Sequence, residues 1–156
     1  MIPEIIRTVA GAFFGTLGFG LLVRAPKRSW IPASLLGAFT FAVYWGLTQL
    51  GLSDAGSIFA ASMIGSLLGL FCALKMKMIG TVFLMLSIIS FVPGLGLYRT
   101  MQYLGAGETA PGADQGIRAM ITIAMIALGQ GTGSFLFRAF RPGGRKSRKP
   151  AAINKN

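Results

Sequence analysis

The segment SFVPGLGLYRT, residues 90–100, lies in an apolar run and contains three residues that disrupt helices. Pro93 has no backbone N–H and clashes with the preceding helical turn, while Gly94 and Gly96 add backbone freedom. The run from 78 to 104 contains a single charged residue. As one helix it would measure about 40 Å at about 1.5 Å per residue, longer than the ~30 Å hydrocarbon core of a bilayer. We therefore predict a helix that is broken at Pro93-Gly94 and resumes as a second short helix.

The composition around this segment indicates a membrane protein. Hydrophobic residues make up 53% of the chain and charged residues 12%, and the mean hydropathy is +0.66, outside the usual range of soluble domains. The apolar residues come in successive runs near the length of a membrane-spanning helix. We therefore expect an all-α, polytopic integral membrane protein.

Few chemistries are available to this chain. It has one cysteine, Cys72, and no histidine, which excludes a disulfide framework, a CxxC pair and imidazole ligands or bases. No nucleophile paired with a base and no phosphate-binding loop stands out. We expect neither enzymatic activity nor a metal or cofactor.

Charged and turn residues divide the chain into about five spans. If the N-terminus is outside, twelve of the fifteen basic residues fall on the cytoplasmic side and all four acidic residues on the other, as the positive-inside rule requires. Glu4 stands where a signal peptide would be basic, so we treat the first segment as a retained span. We predict a five-helix transmembrane domain over 1–140, N-out and C-in, with spans at 3–23, 31–51, 57–74, 79–104 and 115–140.

The remaining residues, 141–156, form a basic segment, and the whole chain carries a formal net charge of +11. Basic tails of this kind can bind nucleic acid. Next to a membrane span, however, such residues fix topology and contact anionic lipid, at about 1 kcal/mol for each basic residue near the surface. We therefore predict a disordered cytoplasmic tail that touches anionic lipids, and no nucleic-acid partner.

Small residues recur at helical spacing in three of the spans. Such faces allow helix backbones to approach closely in a membrane. They indicate either packing within the chain or faces that dock a second subunit or slide during transport, which leaves a homo- or hetero-oligomer open. The residues concerned are Gly11 and Gly15, Gly65 and Gly69, and Gly129, Gly131 and Gly133.

A broken span has two possible consequences for Arg99. The N-terminus of the second half-helix carries unpaired N–H groups that favour an anion, and Arg99 would add a planar cation suited to a carboxylate. Backbone groups freed by the break must then face protein or a watery cavity. Alternatively, the helix is only kinked, and Arg99 reaches out to the headgroups.

Three motifs in order resemble the threonine/serine exporter family, in particular its small separate subunit of the YjjB-like type. FVPGLGLYRTM, residues 91–101, has a P-G-x-x-x-Y core at Pro93, Gly94 and Tyr98. Upstream are GFGLLVRAPKR, residues 18–28, and SIFAASMIG, residues 57–65, the latter with Ser62 in an A-S-x-x-G pattern.

The resemblance implies export of small amino acids such as threonine and serine, or of small dicarboxylates such as succinate, across the bacterial cytoplasmic (inner) membrane. It also implies a partner, a larger membrane subunit of the same family, in a hetero-oligomer. On this basis we expect Arg99 to bind the substrate carboxylate, and Tyr98 and Gln102 to form hydrogen bonds with the substrate. Ser62 would supply a neighbouring polar contact. The end of the half-helix would be formed by Pro93, Gly94 and Gly96.

Proton coupling normally requires a titratable group in the membrane. The acidic residues here are near span edges or in a loop, so we expect the partner to supply this group, with Asp54 as the local candidate. Two alternative functions stay open: a non-transporting accessory or regulatory membrane subunit, and a small oligomeric channel. Substrate identity, coupling ion and stoichiometry do not follow from the sequence.

Overall fold

The computed structural model describes residues 2–140, with side chains described from Arg7 onwards except that of Ser90. The predicted tail, 141–156, lies outside the described residues. Within them the structure is helical, and short 3-10 helices, Lys27–Ser29 and Ile89–Phe91, precede α2 and follow α4. The α-helices are α1 (Ile2–Leu22), α2 (Trp30–Gln49), α3 (Asp54–Lys75), α4 (Gly80–Ile88), α5 (Gly94–Gly105) and α6 (Thr109–Ala139).

Several of these helices suit a membrane. In the described part of the chain, three segments are long and apolar enough to span a bilayer, Lys27–Gln49, Asp54–Lys75 and Thr109–Ala139, and Arg7–Leu22 is a shorter apolar helix. The predicted all-α, polytopic membrane fold is thus confirmed. The α4 and α5 helices are each too short to cross alone, so the count of five crossings and the N-out, C-in orientation stay predictions.

The α3 helix lies at the centre of the bundle, where small residues bring it close to its neighbours. A Cβ atom added to Gly65 would lie 2.6 Å from Thr40 Cγ2 of α2 and 3.6 Å from Ser87 Cβ of α4. Added to Gly69, it would lie 3.4 Å from Leu36 of α2. Because residue numbers rise on α3 as they fall on α2, these two helices run antiparallel.

The α3 and α6 helices run parallel and are packed still more closely. A Cβ added to Gly129 would lie 2.9 Å from Ser62 Cβ, and one added to Gly133 would lie 2.8 Å from Ser66 Cβ. Gly65, Gly69, Gly129 and Gly133 therefore serve packing within the chain, whereas Gly131 has no neighbouring atom within 4 Å of an added Cβ. On α1, by contrast, Gly11 has no neighbouring atom within 4 Å of an added Cβ.

The start of α6 differs from the sequence prediction. We expected a loop up to residue 114 and a span from 115, whereas α6 begins at Thr109. Pro111 misled the prediction, but a proline in the first helical turn loses no hydrogen bond, because N–H groups there have no intrahelical acceptor. The helix therefore extends six residues further toward its N-terminus than predicted.

The bundle interior is rich in hydroxyl groups. Phe83 is fully buried, but the other largest fully buried side chains in the described part are serines and threonines. In a membrane such groups are stable only if hydrogen-bonded, since water is absent. Some of these hydroxyl groups form their hydrogen bonds at the interruption between α4 and α5.

Candidate functional site

The fourth crossing is interrupted where the sequence predicts it. The α4 helix ends at Ile88, a 3-10 turn covers Ile89–Phe91, and α5 begins at Gly94. Pro93 occupies the N-cap position of α5, and its carbonyl accepts from the Leu97 N–H at 3.0 Å. The prediction of a helix broken at Pro93-Gly94 is confirmed.

The two halves follow one another in the direction opposite to α6, with α5 packed on α6 and α4 in contact with it through Gln130. In α4, the Leu84 carbonyl accepts a hydrogen bond from the Gln130 side chain at 3.0 Å. In α5, a Cβ on Gly96 would lie 3.7 Å from Ala119 Cβ, and near the end of α5 Leu104 packs against Gly112. Residue numbers fall steadily along α6 as they rise through α4 and α5. The two short helices therefore run in one direction, antiparallel to α6, as the prediction of a single interrupted crossing requires.

Side chains from two other helices cap the end of α4. Thr40 of α2 donates its hydroxyl to the Ser87 carbonyl at 3.1 Å, and the same oxygen lies 3.0 Å from two carbonyls of its own helix. Gln130 of α6 donates to the Leu84 carbonyl at 3.0 Å and the Ser87 hydroxyl at 3.3 Å. Since a helix leaves its last carbonyls without intrahelical partners, these side chains stabilise an end that lies inside the bundle.

Further hydroxyls join α3 to α6 at this level. Ser66 donates to the Gln130 carbonyl at 3.2 Å and lies 3.1 Å from the Ser134 hydroxyl. One turn away, the Ser62 hydroxyl is fully buried and has no hydrogen-bond partner among the described residues. An unsatisfied buried hydroxyl is unfavourable.

An aromatic cluster connects the interruption to the only predicted local proton site. Phe91, the last residue of the 3-10 turn, is buried against Phe41 and Tyr44, with ring centroids 6.1 and 5.7 Å apart. The Tyr44 hydroxyl donates to a carboxylate oxygen of Asp54, the first residue of α3. The exposed Asp54 is thereby linked to the break through a single tyrosine.

The α5 helix presents its polar residues to the surface. It buries no residue and packs chiefly on α6 through Gly96 and Thr100. Tyr98, Arg99 and Gln102 are exposed on the remaining faces, together with the apolar Leu95 and Met101. The described residues offer Arg99 no ion-pair partner, whereas Arg118 on α6 pairs with Asp114 at 2.9 Å.

The structure thus separates the predicted site residues into two groups. Gly94, Tyr98, Arg99 and Gln102 come together on the exposed part of α5, with Pro93 at its start. Ser62 lies apart, buried against Gly129, and Gly96 faces Ala119 rather than the exposed side. On this chain the polar residues of α5 are open rather than enclosed.

Sequence reasoning missed the residues that cap the break, namely Thr40, Ser87 and Gln130. A signal was present, since an amide within an apolar span often hydrogen-bonds to a neighbouring helix. Gln130 stands among three glycines, which by themselves indicate only close helix packing. Thr40 and Ser87 gave no signal, because serine and threonine often bond to their own helix, as Ser34 does here.

An open cavity of about 630 Å³ runs along α1 beside the break. The cavity is lined by the glycine face of α1 and by Phe41 and Ile89. Its lining is mostly apolar. The described residues contain no cluster of histidine, cysteine, aspartate and glutamate side chains that could hold a metal ion.

Comparison with known protein families identifies the family of this chain. A family model described as threonine/serine exporter, ThrE, matches residues 8–135. The chain belongs to the threonine/serine exporter family. The sequence resemblance is thereby confirmed, and this chain is a membrane protein and a component of a threonine/serine exporter-type transporter. No curated protein and no solved structure gives a significant match.

Proposed function

We propose that this exporter-family chain is one subunit of a secondary transporter that moves small amino acids, threonine and serine, out across the bacterial inner membrane. The observation that carries the proposal is the α5 half-helix, which exposes Tyr98, Arg99 and Gln102 and leaves Arg99 without an ion-pair partner among the described residues. Family membership supports the substrate class. Small dicarboxylates such as succinate carry the same carboxylate and are the alternative substrates.

The chemistry of the α5 face fits an amino-acid carboxylate. Arg99 offers planar paired donors, and the first turn of α5 adds backbone N–H groups with partial positive charge. Tyr98 and Gln102 offer a hydroxyl and an amide for the remaining polar atoms of the substrate. An open polar face inside a membrane is unfavourable unless a second surface covers it. We therefore place the substrate between α5 and the larger partner subunit.

Proton coupling would require a titratable group in the membrane. Asp54 is the local candidate, because it bonds to Tyr44, whose ring packs on Phe91 at the break. The partner subunit is the other source of a titratable group. The basic tail is proposed to contact anionic lipid.

Efflux of labelled threonine from cells that express both subunits tests the role of Arg99. A charge-assisted hydrogen bond contributes about 1.5–3 kcal/mol, so Arg99→Ala should weaken apparent substrate affinity by about tenfold or more. Arg118→Ala is the matched control, because it removes an exposed arginine of the same region that already pairs with Asp114. Efflux should stay within about twofold of wild type for the control.

Unchanged threonine and succinate efflux in Arg99→Ala, at normal abundance in the membrane, would instead favour the accessory subunit. The channel alternative is separated by reconstitution. An uncoupled flux from this chain alone would establish a channel, whereas a requirement for the larger subunit supports the exporter.

A further inference from the structure

Four helices of this chain end in the same hydrogen-bonded turn, in which one residue adopts left-handed backbone geometry. At the end of α1, the Ala25 N–H donates to the Gly20 carbonyl at 2.9 Å and the Arg24 N–H to the Leu21 carbonyl at 3.0 Å. The ends of α2, α3 and α5 show the same pair of bonds. This is the Schellman motif, whose left-handed position normally holds glycine.

The left-handed residue differs between the two sides of the predicted membrane. At the ends of α2 and α5, assigned to the outside, it is Gly51 (φ 84°) and Gly107 (φ 80°). At the ends of α1 and α3, assigned to the cytoplasmic side, it is Arg24 (φ 52°) and Lys77 (φ 54°). A side chain at positive φ is strained, and glycine would avoid that strain. Both cytoplasmic turns thus keep a basic residue where glycine would be more stable.

The two turns close over one hydrophobic cluster. Ala25, next to Arg24, is buried in it, and Met76 and Met78, on either side of Lys77, pack against the same cluster. Helix-dipole attraction accounts for a cation at a helix end, but a lysine or arginine in the last helical turn would supply it without strain. The positive-inside rule accounts for basic residues on this side of the membrane, but not for their standing at left-handed positions.

A small apolar cavity of about 160 Å³ lies directly beside Arg24. The α1 side contributes Val23 and Arg24, and the α4 side contributes Val82 and Met85. Val23 and Met85 are each more than half exposed. In the described residues Arg24 and Lys77 have no ion-pair partner. Arg24 thus places a cation at the edge of an exposed apolar cavity, and the turn that contains Lys77 lies over the same hydrophobic cluster. A cation beside an exposed apolar cavity is complementary to an anionic headgroup with an acyl chain.

We propose that Arg24 and Lys77 bind the phosphate of an anionic phospholipid, such as phosphatidylglycerol, whose acyl chain lies in the cavity between α1 and α4. This site is separate from the α5 face and from the basic tail. It does not depend on the proposed transport activity. A basic residue near an anionic membrane surface contributes about 1 kcal/mol, which corresponds to about fivefold in lipid preference for each residue.

The chain carries its own reporter for this site. The Trp30 indole N–H donates to the Ala25 carbonyl at 2.8 Å, beside Arg24. The chain has two tryptophans, so Trp45→Phe leaves Trp30 as the single fluorophore. Phosphatidylcholine vesicles would contain either brominated phosphatidylglycerol or brominated phosphatidylcholine at the same fraction. The ratio of Trp30 quenching by the two lipids gives the lipid preference.

We expect brominated phosphatidylglycerol to quench Trp30 preferentially, and Arg24→Gly or Lys77→Gly to lower the preference by about fivefold each. Because glycine relieves the backbone strain, the melting temperature of both variants should be unchanged or higher. Loss of lipid preference therefore does not reflect misfolding. Arg138→Gln is the matched control, since it removes a basic residue of the same predicted side, and it should keep the preference within about twofold.

Three results would overturn the site. The first is an unchanged preference in the Arg24→Gly, Lys77→Gly double variant. The second is an equal loss in Arg138→Gln, which indicates unspecific surface charge. The third is abolition of the preference by millimolar inorganic phosphate at constant ionic strength, which indicates a site for the free anion rather than for lipid.

Discussion

Thr40→Val removes the hydroxyl that α2 directs at the end of α4. The Thr40 hydroxyl lies 3.1 Å from the Ser87 carbonyl and is fully buried. Valine keeps the methyl group that faces Gly65, so the packing of α2 on α3 is retained. Hydrogen bonds between membrane helices contribute about 0.6 kcal/mol on average and up to about 1.7 kcal/mol.

We expect the loss of unfolding free energy in Thr40→Val to lie between these two values. The hydroxyl has one proton for three carbonyl oxygens, Leu36, Gly37 and Ser87, which lowers the contribution of any single bond. The Ser87 carbonyl, however, is in the last turn of α4, where losing a donor exposes an acceptor in a dry interior. We expect Thr40→Val to lower the free energy of unfolding by about 1 kcal/mol.

Two measurements check this value. Unfolding in mixed micelles with increasing dodecyl sulfate gives the free energy of unfolding. Maleimide labelling of Leu86→Cys, a buried position in the last turn of α4, reports opening there in a Cys72→Ala background. The control is Thr48→Val in the same helix, whose hydroxyl bonds only to its own helix at Trp45. Thr40→Val should label faster than the control. Equal unfolding energies and equal labelling rates in the two variants would refute a cap on α4.

The other predictions concern helix packing and the aromatic link. A Cβ on Gly129 would lie 2.5 Å from the Phe59 carbonyl, so Gly129→Ala should cost about 1–3 kcal/mol of unfolding free energy, while Gly131→Ala, with no neighbour within 4 Å, should not destabilise. Thermal unfolding in detergent distinguishes them, and equal losses would contradict the close α3–α6 contact. Tyr44→Phe and Asp54→Ala remove the same hydrogen bond, so a double-mutant cycle should show the double variant little worse than either single one. Fully additive losses would mean that the bond contributes nothing.

The break itself was predictable because its causes are local. Proline removes its own N–H and glycine frees its own backbone, whatever surrounds them. The polar residues of α5 follow the break within nine positions, so their helix could be placed from the sequence too. The spans were predictable for a similar reason, since apolar length is a property of each segment alone.

What the sequence could not supply depends on contacts between helices. Thr40 and Gln130 become caps only because α2 and α6 pass the end of α4, and neither residue is near it in sequence. Ser62 was expected beside the α5 residues, but the parallel packing of α3 on α6 places it against Gly129. Arg24 and Lys77 gave no turn signal, because basic residues are uncommon at left-handed positions.

The central claim is that the fourth crossing is interrupted and that the second half exposes its polar face to water. Labelling of Tyr98→Cys by a small, charged, water-soluble thiol reagent, in a Cys72→Ala background, tests it most directly. Ile117→Cys is the control, an exposed apolar position at the same level of α6. We predict labelling at position 98 that is at least about tenfold faster than at 117 and is slowed by threonine. Labelling as slow as at 117, with no effect of threonine, would show that this face lies against lipid and would contradict the account.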